Sequence, residues 1–146
     1  MLALVQRVQS ASVRVEGATV GAIGPGVLAL IGFERGDEAS SLSRFRDRLL
    51  GYRMFSDETG RMNKSLLDTG GQLLLVSQFT LAADTRSGMR ASFTPAAEPE
   101  QARVLFDQLV AICREKLPTG VEIGQFGAHM EVSLVNDGPV TFLLRP

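Results

Sequence analysis

Residues 11–16 alternate in polarity: Ala11, Val13 and Val15 are apolar, and Ser12, Arg14 and Glu16 lie between them. That period of two predicts a strand with one buried face. The turn residues Gly24-Pro25-Gly26 precede Val27–Phe33, a nearly continuous apolar run. Such a run suits a strand covered on both faces. The period then lengthens: Leu42, Phe45 and Leu49 recur at helical spacing, with Arg44, Arg46, Asp47 and Arg48 mainly on the other faces and Gly51 at the end. Tyr52–Phe55 reads as a short strand and residues 56–60 as a turn. Leu73–Leu81 reads as a second central strand, interrupted by Ser77, Gln78 and Thr80. After a looser polar stretch over Ala82–Pro95, Pro99 is placed for the first turn of a second long helix, where a missing N–H costs nothing. Ala102, Leu105, Phe106, Leu109, Val110 and Cys113 form its apolar face, and residues 118–120 stop it. Two strands close the pattern, roughly Val121–Val135 and Val140–Leu144, with Asp137-Gly138-Pro139 between them.

The predicted order is ββ-α-ββ-α-ββ. Doubly wound folds alternate strand and helix more regularly than this. The expected fold is therefore of α+β type, a mixed and largely antiparallel sheet curled into a barrel with two helices packed outside. The 146 residues suffice for one compact domain spanning 1–146. No run approaches the roughly 18 to 20 apolar residues of a membrane span, and the N-terminus reads as a first strand rather than a leader. A cytoplasmic protein without a membrane partner is expected.

Composition narrows the chemistry. The single Cys113 lies in a helical apolar stripe, where a buried thiol is the expected state. No Cys/His cluster suggests a metal site, and no glycine loop suggests a nucleotide cofactor. The one histidine, His129, lacks a partner motif, and Ser77 lacks the Gly-x-Ser-x-Gly elbow of serine hydrolases. The net charge of −1 excludes a broadly basic surface, so any nucleic acid would be touched only at an end.

Two segments stay unexplained. Burying Ser77, Gln78 and Thr80 unpaired would cost about 1–3 kcal/mol per group, so they either pair within the fold or line a cavity. In Asn136-Asp137-Gly138-Pro139-Val140-Thr141 a proline falls between strand-like halves. That segment reads either as an ordinary hairpin turn or as a cis Gly-Pro bond offering its carbonyls to a ligand.

Taken together, SQFTL at 77–81 and NDGPVT at 136–141 resemble the D-aminoacyl-tRNA deacylase family, as do LVQRV, GYRMFSDETGRMN and LAADTRSGMRASF. The resemblance runs essentially end to end. It implies a homodimer in which the Gly138-Pro139 turn of each subunit enters the active site of the other. It also implies an ester substrate, an amino acid on the terminal ribose of tRNA, and no cofactor. An activated ester with a neighbouring hydroxyl needs orientation, water and an oxyanion donor more than a strong nucleophile. The backbone N–H groups of Phe79 and Thr80 are the expected oxyanion donors, and Ser77 and Gln78 would hold the ribose and the α-amino group. Thr80 has no base beside it in sequence, so direct attack by water is favoured over an acyl-Thr80 intermediate. Met89, Arg90 and Phe93 are candidates for contact with the tRNA 3′ end. A rigid Gly-Pro backbone would reject L-amino acids and let glycyl-tRNA through. Two other readings are a binding module without catalysis, which would want an aromatic or basic stripe, and an esterase for small D-amino acid esters.

Overall fold

The computed structural model describes residues 1–118 and 120–146. Strand β1 (Leu2–Val15) is the spine of a six-stranded sheet. One edge of it pairs antiparallel with β2 (Ala18–Ile23) over Ala11–Val15 and with β3 (Gly26–Gly32) over Leu2–Val8. Its other edge pairs along nearly its whole length with the last strand, β8 (Glu131–Leu144). Beyond β3 the sheet turns parallel, through β6 (Gln72–Ser77) to β7 (Val121–Ile123). The sheet is mixed and nearly closed into a barrel. Closure brings β2 against β7, where a side chain at Gly21 would run into the Ile123 carbonyl.

Helices α1 (Leu42–Gly51) and α3 (Pro99–Lys116) pack on the outside of this sheet. Pro99 opens α3, as its position in sequence predicts. The alternation within the apolar strands now has a meaning. Val27, Ala29, Ile31, Leu73 and Leu75 face Phe45, Leu49, Leu109 and Cys113 of the helices. Leu28, Leu74 and Val76 point the other way, into a barrel core shared with Val8, Val13 and Ile23. Each such large side chain contributes about 1.5–3 kcal/mol on burial, which is why β3 and β6 carry almost no polar residue.

The element order differs in detail from the predicted ββ-α-ββ-α-ββ. Ala18–Ile23 forms a strand that the pattern did not single out, because four of its six side chains are exposed. The Tyr52–Phe55 strand is instead Phe55–Ser56 (β4), paired with Met62–Lys64 (β5). A third helix, the one-turn α2 (Leu66–Thr69), joins the two expected. Its capping box is Ser65 with Asp68: the Asp68 N–H donates to Ser65 Oγ, and the Ser65 N–H donates back to the Asp68 carboxylate at 2.7 Å. Of the helix stop expected over 118–120, Thr119 lies outside the described residues.

Candidate active site

Strand β6 stops at Ser77 rather than running on to Leu81. The Gln78 N–H makes a last bond across to the Ile31 carbonyl at 2.7 Å, and Phe79–Ala82 then wind into a 3-10 turn. The physical reason is polarity: Ser77 and Gln78 are only half-buried and Thr80 is exposed, so the chain leaves the core where its side chains turn polar. The first N–H groups of any such turn lack partners in the turn itself. Among the described residues, those of Phe79 and Thr80 have no acceptor. The Gln78 amide donates to Thr80 Oγ1 at 2.6 Å, and no carboxylate or imidazole pairs with that hydroxyl among the described residues.

Beside this turn opens a cavity of about 440 Å³. Ser77, Gln78 and Phe79 form one wall, Ala102 of α3 a second, and Phe126 and Met130 a third. Arg103 lies over the Phe126 ring, 4.6 Å from its centroid, and exposed His129 sits on the rim. Sequence reasoning missed Phe126 and Met130 and gave His129, which lacks a partner motif, no role. The available signal was the irregular stretch near Gly124 and Gly127, since loops held on a rigid scaffold are frequent carriers of function.

The Gly138-Pro139 segment is not the join between two strands. Strand β8 is continuous, and between the pairs Gln6↔Thr141 and Val8↔Asn136 it carries more residues than β1, so residues 137–140 bulge outward. The bulge is tied at both ends. Asn136 Nδ2 donates to the Arg7 carbonyl at 2.9 Å and to the Val140 carbonyl at 3.1 Å. Arg7 donates through Nε to the Asp137 carbonyl at 3.1 Å and through Nη1 to the Met54 carbonyl at 2.9 Å. The Gly138-Pro139 bond is cis, and Gly138 has φ +130°, a conformation that L side chains rarely adopt. Both residues are exposed, and neither lines the cavity of its own chain.

The remaining candidates lie at the cavity mouth or away from it. Phe93 packs against Phe79 at an inclined angle, with ring centroids 5.2 Å apart. Met89 and Arg90 are exposed on the loop closed by the Asp84–Ser92 backbone pair, and do not line the cavity. On that loop, hydrogen bonds from the Arg86 side chain and backbone hold the Asp84 carboxyl far below its ordinary value. Cys113 belongs to the helix-side core, where burial pushes its thiol up to about 12. No group of three metal-binding side chains converges among the described residues, and no described helix is long and apolar enough to cross a membrane.

Residues 4–145 match the family model described as D-Tyr-tRNA(Tyr) deacylase. A protein of Xanthomonas campestris pv. campestris (strain 8004), named D-aminoacyl-tRNA deacylase, is 70% identical over 146 residues, covering both chains fully. Among solved structures, the c-Myc DNA Unwinding Element Binding Protein superposes with a TM-score of 0.95 at 38% identity, covering 100% of this chain and 99% of that one. A probable eukaryotic D-amino acid tRNA deacylase superposes with a TM-score of 0.87 at 17% identity over 98% of this chain and 97% of that one, a likeness of fold alone.

Proposed function

This chain belongs to the D-Tyr-tRNA(Tyr) deacylase family, and from that premise we propose how it works as a hydrolase on the ester of D-aminoacyl-tRNA. The observation that carries the reading is the turn after Ser77. Two N–H groups without an acceptor among the described residues, of Phe79 and Thr80, open the turn that runs beside an apolar cavity large enough for a nucleoside, with Phe79 in its wall. With the terminal adenosine in that cavity, against Phe126 and Met130, the ester carbonyl lies at the turn. Water attacks the carbonyl carbon, and the oxygen that becomes negative is met by the Phe79 and Thr80 N–H groups, fixed in place before the reaction begins. Collapse of the tetrahedral intermediate breaks the bond to the ribose oxygen, which takes up a proton, and a free D-amino acid and tRNA leave. The neighbouring ribose hydroxyl orients the water. Ser77 and Gln78 hold the ribose and the α-amino group. Thr80 acts through its backbone, since its hydroxyl is engaged by the Gln78 amide and lacks an activating base. The work of such an enzyme lies with translation, in the cytoplasm.

Chirality is selected by backbone. The Gly138-Pro139 bulge of one subunit enters the site of the other and sets its carbonyls against the α-carbon, where an L side chain collides and a D side chain points away. Glycine has nothing to collide, so glycyl-tRNA is a second substrate. Two features support the dimer that this requires. The free edge of β8 has no strand partner among the described residues, and it carries exposed Leu134, Val135 and Leu143. A fourteen-residue open edge with apolar side chains is a surface that proteins ordinarily cover. The name of the relative solved as a DNA-element binding protein raises a second reading, a binding module. A net charge of −1 gives little support to a duplex-binding surface.

The test is deacylation of D-tyrosyl-, L-tyrosyl- and glycyl-tRNA, with released amino acid followed against time. The D and glycyl esters should be cleaved and the L ester spared. Equal cleavage of both tyrosyl enantiomers would refute the backbone selector, and no cleavage of any would refute the deacylase.

A further inference from the structure

The cavity beside Ser77 has room for about one nucleoside, so the rest of an acceptor strand must leave across its rim. The rim offers two ways out, and they differ in charge. On the His129 side the cavity borders a groove whose walls include Glu16 and Glu131, two carboxylates facing a chain of phosphates. On the other side stand Phe79 and Phe93, each about half exposed, their rings 5.2 Å apart and inclined by 54°. The loop leading into Phe93 carries Arg86 and Arg90. Arg86 is spent on Asp84 at 2.7 Å, whereas Arg90 has no carboxylate partner among the described residues. Exposed aromatic rings, with an uncommitted cation on the loop that leads into one of them, are what an unpaired base and its phosphate require.

We infer that the strand leaves over Phe79 and Phe93, which stack the nucleotide preceding the terminal adenosine, with its phosphate toward Arg90. The inference rests on the deacylase reading and deepens it. Met89, Arg90 and Phe93 then serve the penultimate nucleotide, while Phe126 and Met130 serve the terminal one. Phe79 joins the two parts, its ring in the platform and its N–H at the ester.

Three D-tyrosyl esters test this: of adenosine, of cytidylyl-(3′,5′)-adenosine, and of the same dinucleotide with an abasic 5′ residue. The wild-type protein should prefer the full dinucleotide over its abasic form by about 5- to 160-fold in kcat/KM, the range one stacked base supplies. Phe93→Ala should bring that ratio close to one, and Phe93→Tyr should keep it. Arg90→Gln should lower both dinucleotide esters relative to the adenosine ester. Ratios are taken within each protein, so a partly folded variant does not distort them. The inference is overturned if the wild type cleaves all three esters equally, or if Phe93→Ala retains the preference. It is equally overturned if Glu131→Gln or His129→Ala abolishes the preference instead. Light scattering provides the last check: if Phe93→Ala converts a dimer to monomers, the rings are covered by a second copy of the chain and not by a base. A wild-type protein that cleaves none of these esters overturns the inference, and the deacylase reading falls with it only if D-tyrosyl-tRNA is spared as well.

Discussion

Replacing Arg7 by methionine keeps most of the aliphatic stem and removes the guanidinium that ties β1 to the β8 bulge. The Arg7 side chain is only 14% exposed, so its bonds to the Asp137 and Met54 carbonyls are made largely out of water. Bonds from a charged donor contribute about 1.5–3 kcal/mol each. The ion pair with the Asp137 carboxylate, at 3.2 Å, adds less than about 1 kcal/mol, because that carboxylate is 44% exposed and screened. With some packing retained by methionine, we expect a loss of about 2–4 kcal/mol, a large share of the roughly 5–15 kcal/mol that holds a domain folded. In urea the midpoint should fall by roughly 1–2 M at fixed protein concentration, the latter held constant because the proposed dimer would contribute to apparent stability. Asp137→Asn is the control. It keeps the carbonyl that Arg7 needs, so it should cost about 1 kcal/mol or less. Arg7→Met should also lose discrimination between D- and L-tyrosyl-tRNA, since the bulge is no longer anchored. An Arg7→Met midpoint within about 0.3 M of wild type, or an Asp137→Asn loss equal to that of Arg7→Met, would refute the assignment of the anchor to the carbonyl bonds.

Two further outcomes follow from the same geometry. Thr80→Val should keep much of the deacylase activity and its fold, because the Thr80 N–H is retained; mass-spectrometric trapping of an acyl group on Thr80 in the wild type would show the opposite. Glu34 should contribute stability that disappears in acid. Burial pushes its carboxyl up, but hydrogen bonds from the Met1 amine and Arg145, with their charges, outweigh this and leave it below its ordinary value of 4.5. Its contribution is therefore fully present above that value and is lost as pH falls through the lower, folded one. Glu34→Gln should flatten the fall in urea midpoint between pH 6 and 3, and an unchanged slope would rule the contribution out.

Patterns set by near neighbours were legible in the chain. The apolar runs of β3 and β6, the stripe of α3 and the proline at its first turn each depend on residues within one element. What stayed hidden depends on distant segments. Ala18–Ile23 buries little besides Gly21 and Ile23, and Gly21 is required by the approach of β7, about a hundred residues later in the chain. The halves of β8 read as two strands because Gly138-Pro139 interrupts the pattern, yet β1 runs beside both and makes them one. The candidate site was legible in part. Ser77–Thr80 stood out as polar residues where a core strand was expected, whereas Phe126 and Met130 have no mark of their own until β6, α3 and the approach to β8 converge on one cavity.

The pairing of the first strand with the last also shapes how the chain is made. β1 is synthesised first, but the partner for its whole outer edge is the final strand, more than a hundred residues later. At about 5–20 residues per second that edge waits on the order of ten seconds with its backbone groups unpaired. The outer edge of β1 is therefore covered only after the C-terminal strand has emerged from the ribosome, and a nascent chain stalled before residue 131 presents an open template to other chains.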